Sequence, residues 1–533
     1  MVFTLHRYIF RELLKVFILA GVSLTLILSL GSILQPVQQH GVGPRQVLHL
    51  MVYFLPITLT FVLPMAALFA SALVYGRFAF DNELDACKAS GISLLVVVYP
   101  GLAIAIVVAI ANLLLSFHVM PYFVHLAEAS VKADAKQILF RNIERTGYYE
   151  LPDDRHYIYA DEADFANNTL LGVVVADAKR AQMEKIITAE SAKIEFLSHQ
   201  TYNEVRIITY NTFQMGAENE GGFSMKWGSF STEFGPLLGD AIKFKKAEEM
   251  KRIRSDPMRF YPIAKLARQV YAQLLAELLA QDIRAKAQAN SGGSYRLYSA
   301  EKYVDFTATD CLAKGDNEVE LSGEVVVVES DIGGAAARRL RCAKALLHTD
   351  AEGTSPTLTM DVYHARIEDS GEMPMRYIIR GLIVPESVES VMRQFKTEGN
   401  LLKPRELSAP LSALESKAGD ELTKLQAELG RRIGRTLMQI ASEMQSRLVF
   451  GIGCIPMILI GIGLGIVKRG GHLLTAFGAS CVPAAVLIVC IMSGKNVAEN
   501  PGASSGAGIA LMWIGLAFLV LLAGFLYRRL LKH

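Results

Sequence analysis

The sequence predicts an α-helical membrane protein of six transmembrane helices, arranged three and three, with a large β-rich, jelly-roll-like domain carrying helical insertions between the halves. Three observations carry this. Apolar runs long enough to cross a bilayer, which takes about 20 residues at the helical rise, fall in the first 118 and last 86 residues of the chain. Hydrophobic residues make up 51% of the 533, with mean hydropathy +0.29, high for a soluble chain. The middle instead shows short β-rich runs bounded by Asp, Asn and Gly. The domains then read as 1–118, 119–447 and 448–533. Net charge +2 leaves no global field that would point to nucleic acid.

Met1 to Lys15 sets Arg7, Arg11 and Lys15 among Phe3, Leu5, Ile9, Phe10, Leu13 and Leu14, the pattern of a helix half-lying in the interface. It leads into a first span, Val16 to Leu34, that is too long for a signal peptide and lacks a small-x-small cleavage context. Gln35 to Arg45 reads as a short polar loop, and the second span, Val47 to Tyr75, holds Pro56 and Pro64. Membrane helices tolerate such prolines when neighbours or water re-satisfy the freed carbonyls. The third span is Ile92 to Phe117, after which the chain is expected to leave the membrane near His118 to Pro121.

Between spans two and three lies a polar link of about residues 77–91, RFAFDNELDACKASG. Asp81 is the expected N-cap, Glu83 and Asp85 stand where a helix N-terminus favours negative charge, and Gly91 can close the helix left-handed. Leu84, Cys87 and Gly91 recur at i, i+3 and i+7, a narrow small-apolar stripe with carboxylates beside it. Two readings stand. The link is a solvated turn, or it is a knob that a soluble partner grips. Connections have a median of about 4–6 residues, so a capped helix is more than a hairpin needs.

In the central domain, Tyr157 to Asp161, Leu171 to Ala176, Val205 to Tyr210, Glu318 to Val328 and Met375 to Val384 read as strands. Residues 243–289 form a helical insertion with Leu266, Val270, Leu274, Leu275, Leu278 and Leu279 on one face, interrupted by Pro257 and Pro262. An amphipathic helix, Leu411 to Arg447, runs directly into the fourth span, Leu448 to Val467. Its glycines 451, 453, 461, 463 and 465 have the small-x-x-x-small spacing of close helix packing. Leu473 to Met492 and Gly506 to Leu526 complete the six.

Orientation follows from Arg7, Arg11, Lys15, Arg77, Lys88, Lys468, Arg469, Arg528, Arg529 and Lys532, which share one side, against Arg45 and Lys495 on the other. The termini and the 77–91 link are then cytoplasmic. Of six cysteines, only Cys311 and Cys342 fall in the outer domain, a candidate disulfide whose spatial approach the sequence does not show. The chain has no P-loop, C-x-x-C, H-E-x-x-H or nucleophile elbow. His118 and His125 read as interface packing rather than metal ligands. The apolar runs hold no acidic residue, which argues against a proton-coupled transporter. No catalytic residue, metal or cofactor is expected.

Arg7-Tyr8-Ile9 with Arg11-Glu12-Leu13, Gly76-Arg77-Phe78 through Ser90-Gly91-Ile92-Ser93, Tyr157 to Asp161, Ile187 to Glu190 and Pro456 to Gly470 carry a resemblance. Together they resemble the LptF/LptG (YjgP/YjgQ) permeases of the lipopolysaccharide export ABC transporter. The resemblance implies an inner-membrane half-transporter that pairs with a paralogous or identical permease. It also implies a cytoplasmic ABC ATPase dimer gripping the 77–91 link, a periplasmic bridge protein as acceptor, and lipopolysaccharide or a related lipid as cargo. Glu83 matches the coupling carboxylate, with Arg77, Asp81 and Asp85 around it, and spans one and five would line the lipid path. Two departures stand out. The central domain is larger than the family's, and Gln35, Gln38, Gln39 and His40 stand where some members place lysines for lipid phosphates. Arg45, Lys132 and Lys136 remain as lipid-contact candidates. The competing class is a membrane-anchored periplasmic interaction or assembly scaffold without transport.

Overall fold

The computed structural model describes residues 2–40, 44–151, 156–179, 182–198, 202–216, 223–235, 241–289, 294–315, 317–332, 338–350, 356–368, 373–374, 376–393, 407, 420–467, 473–500 and 505–532. Its first half is a run of helices: α1 (Val2–His40), α2 (Pro44–Phe80), α3 (Glu83–Ala89), α4 (Leu94–Leu114), a π turn (Leu115–Val119) and α5 (Met120–Thr146). The last half holds α9 (Asp420–Val467), α10 (Leu473–Glu499) and α11 (Ser505–Lys532). Six of the helices are long and apolar enough to cross a membrane. Two boundaries differ from the sequence reading. The polar stretch Gln35 to His40, Pro36 included, continues α1 instead of forming a loop: glutamine is a good helix former, and one proline removes a single helical hydrogen bond. Near His118 to Pro121 the helix goes on, the π turn absorbing Pro121 and Gly147 (φ 78°) closing α5.

Prolines lock these helices to one another. Pro64 offers no N–H to the carbonyl of Thr60, and the buried Asn112 of α4 donates to that oxygen at 2.6 Å. Pro100 likewise frees Val96, whose carbonyl receives His6 Nε2 of α1 at 2.8 Å. Each lost helical bond thus becomes an interhelical one, as the bilayer requires. The glycines of α9 do what their spacing predicts: a Cβ on Gly465 would lie 2.8 Å from the Ala72 carbonyl and 3.0 Å from the Gly76 nitrogen, so α9 and α2 touch backbone to backbone.

The inserted β-rich part consists of two units. The first sheet holds β1 (Tyr148–Glu150), β2 (His156–Tyr159), β3 (Glu162–Asp164), β4 (Thr169–Lys179), β5 (Gln182–Ser198), β6 (Asn203–Gly216) and β7 (Phe223–Phe234). Its order is β1-β2-β4-β5-β6-β7, with β3 on β4 and every pairing antiparallel. Leu139, Phe140 and Ile143 at the end of α5 share a core with Ile158, Val205 and Ile207, so the sheet sits on that helix.

After α6 (Ala247–Ser255) and α7 (Tyr261–Ala289) come β8 (Tyr295–Tyr298), β9 (Lys302–Thr307), β10 (Asp310–Lys314), β11 (Glu318–Asp331), β12 (Arg338–Asp350), β13 (Thr357–Tyr363), β14 (Arg366–Ile367), β15 (Arg376–Ile383) and α8 (Glu386–Arg393). The path β11-β9-β8-β15-β13-β12 returns to β11, closing a six-stranded barrel with β10 and β14 outside the ring. Val270, Leu274, Leu275 and Leu279 of α7 pack into one core with Phe306, Val327 and Leu347, as the apolar face of 243–289 anticipates. Pro257 opens a 3-10 turn capped by Asp256, and Pro262 sits at the start of α7.

Helix α9 joins the membrane helices to the barrel. At 48 residues α9 is about 72 Å long. Leu422, Leu429, Ile433 and Ile440 belong to the barrel core, while Cys454, Ile458, Ile462 and Ile466 belong to a membrane core with Ile9, Tyr75 and Phe78.

The candidate Cys311–Cys342 pair is not joined: both thiols are free. Cys311 on β10 pairs with Leu321 of β11, and Cys342 on β12 pairs with Val325 across the opposite edge of that strand. Two strand spacings of about 4.8 Å already exceed the roughly 7 Å reach of a disulfide.

On the barrel, Asp361 is almost wholly buried and accepts from His348 Nε2 at 2.9 Å and from Arg376, while His348 Nδ1 faces Glu318 at 3.2 Å. Burial opposes the imidazolium, but the bonds to Asp361 and Glu318 win and push His348 up to about 9. A raised value means the stabilisation is complete below the free-histidine value of about 6.5 and fades as pH rises through the folded one. Thermal melts of the purified chain are expected to fall between about pH 6.5 and pH 9, and His348→Gln should flatten that slope. A wild-type slope unchanged in the variant would count against this cluster as its source.

Candidate functional site

The polar link forms an elbow. Helix α2 carries on through Arg77 to Phe80, and the Asp81 N–H closes on the Arg77 carbonyl at 2.8 Å. Asp81 is therefore not the N-cap. Its carboxylate meets Arg77 Nε at 3.4 Å on an exposed flank, and Asn82 takes the turn with φ 57°. Asparagine is one of the few side-chain-bearing residues that visit the left-handed region readily. Within the 77–91 link, residues 77–80 thus belong to the last turn of α2, and the short helix expected after Asp81 is α3, capped by Asn82. At the other end, Gly91 (φ 78°) donates to the Lys88 carbonyl and Ile92 to that of Cys87, each at 3.0 Å. This is a Schellman closure.

Leu84 anchors α3. It is buried in one cluster with Ile9 and Leu13 of α1, Phe78 of α2 and Leu94 and Val97 of α4, with Cys87 and Ile92 packed against it. Tyr8 stacks on Phe78 with ring centroids 5.7 Å apart, and Tyr75 donates to the Val97 carbonyl at 2.9 Å. Four helices therefore meet at the elbow, and displacing α3 must strain all of them. Glu83 and Asp85 are half-buried on the first turn of α3, beside the exposed ring of Phe80. Glu83 makes no ion pair or hydrogen bond with any described residue. It stands as a fixed negative charge at the mouth of the elbow.

The structure brings Arg77, Asp81, Glu83 and Asp85 to one end of the helices, but it does not gather the lipid-contact candidates. Lys132 pairs with the buried Glu128 at 3.2 Å on α5. Lys136 lies 4.6 Å from the ring centroid of Phe165, tied to the first sheet. Arg45 is on α2, its side chain outside the described residues.

One cluster escaped the sequence reading. Buried Arg447 holds Glu443 Oε1 at 3.0 Å and donates to the carbonyls of Lys243 and Lys245 at 2.8 and 3.3 Å. Glu443 Oε2 takes Lys495 of α10 at 2.6 Å. The i, i+4 spacing of Glu443 and Arg447 just before the Leu448 run was the available signal; its partners 50 and 200 residues away were not.

A family model described as "Lipopolysaccharide export system permease LptF/LptG" matches residues 7–306, more than half of the chain. The chain belongs to the LptF/LptG family. No curated protein matches it. LptF/LptG proteins are permease components of lipopolysaccharide export and not themselves enzymes, so this chain is a membrane permease of that family. The match takes in the elbow, the first sheet and α7, and it ends at residue 306, before the barrel is complete and before α9.

Leu84→Ala should loosen the elbow by about 2–5 kcal/mol, the usual cost of emptying a buried leucine site. Maleimide labelling of half-buried Cys87 should speed up at least tenfold in that variant while the melting of the rest of the chain is retained. Equal labelling rates would show that Leu84 does not hold α3 down.

Proposed function

We propose that this chain is the permease half of an ATP-driven exporter of lipopolysaccharide or a related lipid in the cell inner membrane. Its elbow lies on the cytoplasmic side, its β units lie in the periplasm, and a separate ABC ATPase dimer docks at α3. The observation that carries this reading is Glu83, an unpartnered carboxylate on a short helix locked to α1, α2 and α4. A basic side chain of the ATPase would complete it. An ion pair there gains most where docking removes water, since open surface pairs give only about 0–1 kcal/mol.

The mechanism follows from what the elbow is packed against. Closing of the ATPase dimer moves α3. Through Leu84 that motion loads α1, α2 and α4, and through Ile458, Ile462 and Ile466 it reaches α9. A capped rigid helix transmits such a load, where a floppy loop would absorb it. Apolar side chains of α1 (Ile18, Leu19, Val22, Leu26) and α10 (Val482, Val489, Met492) are left uncovered. These faces are suited to line the lipid path and to meet a second permease, with the first sheet as the handover to a periplasmic bridge protein.

Glu83→Ala is expected to fold normally, to lose most of the co-purifying ATPase and to abolish lipid release in a reconstituted extraction assay. Full activity of that variant would falsify the docking role of Glu83. If no P-loop ATPase travels with the wild-type chain in a detergent pull-down, the scaffold reading replaces this one.

A further inference from the structure

A cleft of about 510 Å³ opens where the barrel unit meets the membrane helices. One wall is a single face of α9, the opposite wall is the last turn of α10, and residues 241–243, Phe260 and Pro262 close the side. Its ionisable lining is Lys243, Arg432, Arg435 and Lys495 against Glu443 and Glu499. The carboxylates are already engaged: Glu443 between Arg447 and Lys495, and Glu499 with Gln439 Nε2 at 3.3 Å. Arg432 and Arg435 are exposed and form no ion pair with any described residue. The cleft therefore carries a surplus of positive charge beside a low-dielectric slab, where like charges repel more strongly than in open water.

We infer that this cleft binds a phosphate ester, gripped by the guanidinium forks of Arg432 and Arg435 and backed by Lys243 and Lys495. Four cations less two carboxylates leave a surplus of two, and a phosphate monoester carries about −1.5 to −2 at neutral pH. Arginine forks match phosphate oxygens bidentately. Residues at i and i+3 on a helix stand about 5–6 Å apart at Cβ, so both can close on one phosphate. The cleft is larger than a bare phosphate needs and lies within the roughly 300–1,000 Å³ of ordinary ligand sites. Glu443, at one end of the cleft, stands about one turn before the apolar run of α9, and Arg432 and Arg435 lie about two to three turns further from it, so the test separates a lipid head group from a soluble phosphate compound. The inference needs α9 and α10 to cross the membrane but does not depend on ATPase docking at the elbow.

The test uses the full chain in dodecyl maltoside, which brings no phosphate, with calorimetric titration of dihexanoyl phosphatidic acid and, separately, of inorganic phosphate. Wild type should bind. The doubly substituted Arg432→Gln/Arg435→Gln chain should bind about 100-fold more weakly, roughly tenfold for each charge-assisted contact. Arg431→Gln, on the same helix but outside the cleft, should match wild type. Binding confined to phosphatidic acid identifies a lipid head group; equal binding of inorganic phosphate identifies a soluble ligand; either supports the site. No binding of either probe, undiminished binding by the double variant, or an equal loss in Arg431→Gln overturns it. Because no ATPase is present, these results stand apart from those for Glu83.

Discussion

The junction between membrane and inserted units depends on the buried ion cluster around Glu443. Arg447 is almost wholly removed from water, and a lone guanidinium there would be prohibitive. Glu443 makes it tolerable by taking Nε, Lys495 fills the second carboxylate oxygen, and the carbonyls of residues 243 and 245 take Nη2. The cluster thus ties α9 to α10 and to the strand-to-helix linker in one place. Buried ion pairs are poor sources of net stability, but they are unforgiving of misplacement. This one fixes how the linker before α6 sits against α9 and α10.

The same economy of polar groups governs the membrane core. Pro64 and Pro100 each remove a helical donor, and Asn112 and His6 supply a replacement from a neighbouring helix. A residue that weakens one helix alone becomes a registration mark between two. His6 matters most, because it joins the first turns of α1 to the start of α4 beside the elbow. Leu84 and Tyr75 complete that knot, which packs α3 against the spans instead of leaving it on a free hinge.

Helix α9 has the elbow's core at one end and the barrel's core at the other. Its apolar residues enter both, with the Glu443 cluster between them. A load applied at α3 therefore has an unbroken path to the barrel, and the charged cleft lies along it. In this arrangement the barrel unit, completed by residues beyond the family match, is carried on the fourth span.

Much of this was open to reading from residue order alone. Six apolar runs, the β-rich insert, the glycine spacing of α9, the helix face of 243–289 and the likeness to LptF/LptG are all local or periodic signals. Periodicity and hydropathy report what each segment must bury, whatever it is buried against. Other features needed the folded chain. Asn82 instead of Asp81 takes the turn because α2 overruns its polar residues. Cys311 and Cys342 lie on opposite edges of β11. The barrel closes through β8 on β15 and β12 on β11, Glu443 finds Lys495 about 50 residues away, and Arg447 finds its carbonyl partners about 200 residues away. Each depends on pairings between distant segments, where the energy lies in contacts that no single stretch of sequence contains.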